Sequence, residues 1–200
     1  GKERSYQRNF GIKKATGKYL LILDSDMMVT PGVIGNCVWM MESNSSCVGI
    51  YIPERIVTAG WFGRLRDWER QFYNGTLVDV ERFVRREGCP LFDEGLHGVE
   101  DSDWARQIHG LKLTCMFPVH HHDKCGVVSY LKKKAYYAQC LGKYKAKNPD
   151  DKLLTFKYRC LDVYVQNGKW KRLISKPHYA LGMMLLILAR GVIFLCAKKS

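Results

Sequence analysis

The stretch LLILDSDMM (residues 20–28) decides how the chain is read. Four apolar residues run directly into two carboxylates, Asp24 and Asp26, and the chain then turns apolar again. Together with Tyr19, the run 19–23 has the length and composition of a strand buried on both faces. Two carboxylates at such a strand end cost desolvation unless something positive neutralises them. A divalent cation would do so. Hard oxygen ligands suit Mg²⁺ or Mn²⁺, which take one or two carboxylates together with substrate phosphates. The plainer alternative is a solvated turn, since D-x-D alone is a common pattern. Successive strand side chains point to opposite faces, so both aspartates reach one site only if a turn begins at Ser25.

Working outward, residues 5–16 read as a helix with Phe10, Ile12 and Ala15 as its apolar positions, stopped at Gly17. A helix leading into a buried strand indicates an α/β layered fold. Thr30 and Pro31 read as the N-cap and first position of a helix reaching about residue 42, with Val33, Cys37, Val38 and Met41 as its buried stripe. CVGIYIP (residues 47–53) is the next strand, and a mixed aromatic and charged segment spans 61–86. LTCMFPVHHH (113–122) reads as one further strand. Residues 130–147 are helical, basic and tyrosine-rich, ending at Asn148-Pro149-Asp150-Asp151. The run YALGMMLLILARGVIFLCA (179–197) is apolar except for Arg190.

The chain has 200 residues and a formal net charge of +13, which favours an anionic partner. Eight cysteines occur without a C-x-x-C pair, which fits scattered reduced thiols and not a zinc site or a disulfide scaffold. The opening GKERSYQRNF is polar and basic, unlike a signal peptide, and its first residue is Gly, so the reading expects a piece of a longer product.

The segment RNFGIKKATGKYLLILDSDMMVTPGVI (8–34) resembles the signature of family 2 glycosyltransferases, which have the GT-A fold. The matching residues are Arg8, Asn9, Gly11, Ala15, Gly17, Tyr19, Leu23, Asp24 and Asp26. LFDEGLHGVEDSDWARQIHGLKL (91–113) resembles the second signature, with Phe92, Asp93, Glu94 and Leu96 before the pair Glu100-Asp101. VHHHDKCG (119–126) resembles the histidine-containing segment that follows. Two departures are Gln107, where the family usually has Arg, and one extra residue before Gly126.

The resemblance implies sugar transfer from a nucleotide-diphosphate sugar to the hydroxyl of a glycan or lipid-linked acceptor of the cell-envelope kind, with inversion and with Mg²⁺ or Mn²⁺. Asn9, Asp24 and Asp26 would serve the donor diphosphate and the metal, Asp26 most directly. Asp101 would be the general base with Glu100 beside it, and His122 a further metal or phosphate contact. Arg82, Arg85 and Asp103 would lie on the acceptor side. The family's domain opens with a strand, helix and strand that hold the nucleotide base. The resemblance therefore implies the second half of a catalytic domain, with 19–23 mid-sheet.

Independently of the family, a base is needed where an acceptor hydroxyl attacks. Acidic residues at 100, 101 and 103 equally suit the first turn of a helix. Adjacent histidines on a strand face alternate sides, so 120–122 can supply one ligand but not a zinc cluster. The basic helix 130–147 reads as lying on anionic lipid or holding the phosphate of a lipid-linked substrate. Nucleic-acid binding through its lysines and tyrosines ranks lower and no nucleic acid is expected. The 19-residue run 179–197 reads as a membrane helix flanked by Lys176, Lys198 and Lys199, with Arg190 snorkelling outward. The expected organisation is thus an α/β/α three-layer partial GT-A domain (1–128), a basic helical connector (129–178) and a membrane-associated helix (179–197). The alternatives are a non-catalytic remnant or partner subunit on the membrane, and a basic nucleic-acid-binding protein.

Overall fold

The computed structural model describes residues 3–123 and 126–197. In chain order the elements are α1 (Arg4–Lys14), β1 (Tyr19–Leu21), β2 (Met27–Val29), α2 (Val33–Ser43), β3 (Cys47–Tyr51), β4 (Glu54–Ile56), α3 (Gly60–Arg70) and β5 (Glu81–Arg85). They continue with α4 (Glu100–Arg106), β6 (Leu111–Thr114), β7 (Val119–His121), α5 (Val127–Lys147), α6 (Val163–Val165), α7 (Trp170–Ser175) and α8 (Pro177–Ala197). The chain divides into two compact units: residues 1–55 with 74–122, and residues 56–73 with 123–200. This departs from the consecutive division at 128 and 178, because the segment carrying α3 packs with the C-terminal helices.

In the first unit a four-stranded sheet has the order β1-β5-β3-β6, and a three-stranded sheet the order β2-β7-β4. β5 runs antiparallel to both β1 and β3, while β3 and β6 are parallel. Strand alternation sorts the side chains into two cores. Tyr19, Leu21, Ile50 and Phe83 pack with Val33, Cys37 and Met41 of α2, whose i, i+4, i+8 spacing forms one helical stripe. Leu20, Ile22, Val48 and Val84 pack with Ile12 of α1 and with Trp104 and Ile108 on the other face. Trp104 is fully buried, stacks on Phe92 with ring centroids 4.8 Å apart, and donates its Nε1–H to the Pro90 carbonyl at 2.8 Å. Helices therefore cover both faces of the sheet.

The chain leaves the first sheet at the aspartates. Met27 N–H donates to the Asp24 carbonyl at 3.0 Å, closing a turn over Ser25 and Asp26 that delivers the chain into β2 of the second sheet. Two local expectations are corrected and one offered alternative is met. Thr30 does not cap α2: its hydroxyl donates to the Pro118 carbonyl at 2.7 Å, and Gly32, at φ 88°, precedes the helix. The single strand expected over 113–122 is two strands in different sheets, parted at Pro118, which has no N–H for a ladder. The acidic stretch at 100 is a helix start, with Glu100, Asp101 and Asp103 in the first turn of α4.

The second unit is helical. Tyr130 and Tyr144 are the buried anchors of α5, and the Tyr144 hydroxyl bonds the Asp151 carboxylate. Gly182 lets α8 approach α3 closely: a Cβ there would lie 2.7 Å from Trp61 Cη2. Arg190 does not snorkel. Its guanidinium turns inward to Glu69, at 2.7 Å. Lys198 and Lys199, like Lys124 and Cys125, lie outside the described residues. The described cysteines are all free thiols.

Candidate functional site

Side chains of both signs form one continuous chain along the strand ends of the first unit. Arg8, on α1, reaches two carboxylates. Its Nη2 donates to Asp24 Oδ1 at 2.6 Å, and its Nη1 to Asp101 Oδ1. The other Asp24 oxygen faces Arg82 Nη1 at 3.8 Å, and Arg82 Nη2 donates to Glu54 Oε2 at 3.2 Å. Glu54 meets His121 Nδ1 at 2.6 Å, and His121 Nε2 meets Asp26 Oδ2 at 3.1 Å. From Asp101 to Asp26, each carboxylate is thus separated from the next by a cation or an imidazole. A small cleft of about 20 Å³, room for a water molecule, lies beside Arg8, Arg82, Phe92 and Asp101.

The turn at Ser25 forms as the alternation argument requires, but the two aspartates do not converge. Asp24 faces the arginines and Asp26 faces His121. Their exposures differ accordingly, at 32% for the Asp24 side chain and 51% for Asp26. Burial alone would raise the Asp24 pKa; Arg8 and Arg82 outweigh it and hold the carboxyl below its usual range. Asp101 is 39% exposed at the start of α4, and the charge nearest to it is the Arg8 guanidinium, not another carboxylate. Glu100 is buried at 2%, with Arg4 at 2.9 Å and Arg8 at 3.8 Å. Its oxygens accept no aligned hydrogen bond among the described residues.

Four expected site residues have other duties. Asn9 is buried and its amide is fully used: Nδ2 donates to the Phe92 carbonyl and to Glu94 Oε1, both at 2.9 Å, and Oδ1 accepts from Phe92 N–H. It pins the segment before α4, with both amide protons already donated. Arg85 caps α2, donating to the carbonyls of Met41 and Cys47 at 2.8 Å each. Asp103 is buried at 2% and accepts from Gln107 Nε2 at 3.3 Å, so it offers no acceptor surface. His122 contributes its backbone N–H to the Asp26 carbonyl at 2.9 Å, and the imidazole beside Asp26 belongs to His121. Arg82 lies with the aspartates of the turn and not apart from them.

Sequence reasoning missed Arg8 as the joint, along with Glu54 and His121. For the histidine the deciding signal is the register of β2 against β7, which the sequence alone does not carry. Met27 pairs with His121 across β2 and β7, which places position 121 next to Asp26. For Glu54, an acidic residue just past an apolar strand, nothing in the sequence pointed to the site.

Residues 1–90 match the family model described as glycosyl transferase family 2. Asp24, Asp26, Arg8 and Arg82 fall within the family 2 region, and Asp101 and His121 beyond it. The mixed sheet between α2 and the pair α1 and α4 is that of a partial GT-A domain, and helical segments complete the chain. Among solved structures the chain is similar to S. aureus TarS, with a TM-score of 0.43 and 16% sequence identity, over 73% of this chain and 28% of that one. The chain therefore spans little more than a quarter of the length of that protein. No curated protein sequence matches it.

His121 provides a test of this geometry. Its hydrogen bond to Glu54 raises its pKa above 6.5, burial opposes the rise, and the charges of Glu54 and Asp26 add to it. A folded-state pKa above the unfolded value means that this stabilisation is fully present below about pH 6.5 and is lost as pH rises through the folded value. In Glu54→Gln, the NMR titration of His121 is expected to move downward, with a stability deficit that shrinks at alkaline pH. An unchanged titration would contradict the pairing.

Proposed function

We propose that this chain forms part of a glycosyltransferase that moves a sugar from a nucleotide-diphosphate donor to an acceptor hydroxyl with inversion, working at a membrane. The observation that carries the reading is the placement of two half-exposed carboxylates, Asp26 at the strand-end turn and Asp101 at the start of α4, on one chain of alternating charges. The family match over residues 1–90 supports the donor class.

In this reading Asp101 accepts the proton of the acceptor hydroxyl as that oxygen bonds to the anomeric carbon, while the bond from that carbon to the diphosphate oxygen breaks and the nucleoside diphosphate leaves. Arg8 orients Asp101 and holds Asp24 in register with it. Asp26 would be the residue to take Mg²⁺ or Mn²⁺, with Asp24 turned to Arg8 and Arg82 instead. The described residues contain no group of three or more His, Cys, Asp or Glu side chains that could hold a metal ion. A half-exposed Asp26 nevertheless fits a metal completed by diphosphate oxygens, since Mg²⁺ is commonly bound by one or two carboxylates plus phosphates. Such an ion supplies charge neutralisation for the departing diphosphate.

Membrane association rests on α8. Its 21 residues are about 31 Å long, enough to match a hydrocarbon layer of ~30 Å. Leu181, Met184, Leu185, Leu188, Val192 and Leu195 form an exposed stripe at helical spacing, while Met183 and Leu186 are buried. A stripe of this kind with lysines near its start suits a bilayer of anionic lipid.

Two outcomes check these readings. Asp101→Asn keeps size and hydrogen bonding but removes the proton acceptor. Turnover is expected to fall by ~10²–10⁴-fold with donor binding retained, and near-normal turnover at saturating substrates would remove Asp101 from the mechanism. Replacing the six residues of this stripe by Gln and Ser is expected to release the protein from membranes into the soluble fraction. Continued pelleting after a high-salt wash would contradict the lipid-facing role of the stripe.

A further inference from the structure

We propose that the second unit contains an anion site for a phosphate or diphosphate group, built from Arg66 on α3, Lys134 on α5, Arg159 and Arg190 on α8. The proposal is separate from the sugar-transfer reading and uses none of its residues.

Glu69 is fully buried. Its carboxylate already has its partners. Arg66 Nη1 lies against Oε2, Arg190 Nη2 is at 2.7 Å from Oε1, and the hydroxyls of Tyr73 and Tyr164 donate at 2.7 and 3.2 Å. Two cations and two hydroxyls satisfy one carboxylate, yet two more cations stand beside them. Lys134 Nζ lies over the rings of Tyr130 and Tyr137, at 5.3 and 5.6 Å from their centroids, with no carboxylate partner among the described residues. The Arg66 guanidinium lies over the same Tyr130 ring, 4.4 Å from its centroid, and Arg190 Nη1 donates to the Tyr130 hydroxyl at 3.1 Å. Arg159 is near enough to add to the repulsion on Lys134. Two cations thus hold the carboxylate, and Lys134 shares the Tyr130 ring with one of them.

Such an excess is unfavourable unless an anion completes it, because buried like charges repel and lose their hydration. Two features show that the group is incomplete. Arg66 Nε is buried and has no hydrogen-bond acceptor among the described residues. The Lys134 pKa is pushed down to about 7, by burial first and then by Arg66 and Arg190, so its proton is held against its neighbours. The site is also reachable: Lys134 is half-buried and Arg159 is exposed. Guanidinium forks match phosphate oxygens in pairs and an ammonium adds a point charge, so phosphate is the chemistry these side chains fit. The source can be a lipid headgroup or a free phosphate.

The test titrates sodium pyrophosphate calorimetrically into the full chain in EDTA, which removes any metal-assisted binding at the aspartate turn. Lys134→Gln/Arg159→Gln leaves the pairing of Glu69 intact, and circular dichroism checks its fold. Pyrophosphate is expected to bind the wild type, to bind the double variant at least tenfold more weakly, and to retain affinity in Lys134→Arg, which separates loss of charge from loss of fold. Co-sedimentation with phosphatidylcholine vesicles, with and without phosphatidic acid, then assigns the source. A phosphatidic-acid-dependent gain lost in the double variant supports a headgroup, and an unaltered gain supports a free phosphate. No pyrophosphate binding, equal binding in the double variant, or binding that disappears in Asp26→Ala would overturn the proposal. Because Asp26→Ala and the lysine variant address different units, failure of one reading leaves the other standing.

Discussion

One guanidinium joins the two ends of the candidate site. Arg8 is carried on α1, yet it bonds Asp24 at the end of β1 and Asp101 at the start of α4, residues that are 77 positions apart in sequence. Without it, Asp101 would lose its guanidinium partner and Asp24 the nearer of its two. With it, each has a fixed partner, and the desolvation cost of placing acids at the end of a buried strand is offset by a positive charge from the protein itself.

The neighbouring residues of α1 explain why this joint can hold its position. Asn9 clamps the backbone of Phe92 by two hydrogen bonds, and Phe92 stacks on Trp104 of α4 while lying 5.1 Å beneath Arg8. The helix that supplies the cation therefore also fixes the segment leading into α4 and so to Asp101. The apolar core beneath these groups, Leu20 and Val84 with Trp104 and Ile108, ties the strand and α4 together. Chemistry at the rim depends on packing below it.

Much of this was legible in the sequence, for identifiable reasons. The apolar run 19–23 is a strand only over 19–21, at the edge of its sheet and not mid-sheet, but its core contacts and the i, i+4, i+8 stripe of α2 are local patterns that survive folding. Strand alternation named the turn after Asp24 as the condition for both aspartates to meet; the turn forms, but the meeting does not. What failed was long-range. A buried amide such as Asn9 and a capping arginine such as Arg85 look, in sequence, like site residues, because only the fold shows that their polar atoms are already used. The same holds for Arg190, whose partner Glu69 lies 121 residues away and could not be paired with it by spacing. His121 over His122 was decidable only once β2 and β7 were known to pair in a particular register.

The joint at Arg8 is open to direct measurement by a double-mutant cycle of chemical denaturation with Arg8→Gln, Asp24→Asn and the double variant. The account predicts that the two sites are coupled, with an interaction energy within the ~0.5–3 kcal/mol seen for residues in one network and a favourable sign. Losses that add to within ~0.3 kcal/mol would show that Arg8 and Asp24 do not act on each other, and would contradict the claim that this guanidinium organises the site.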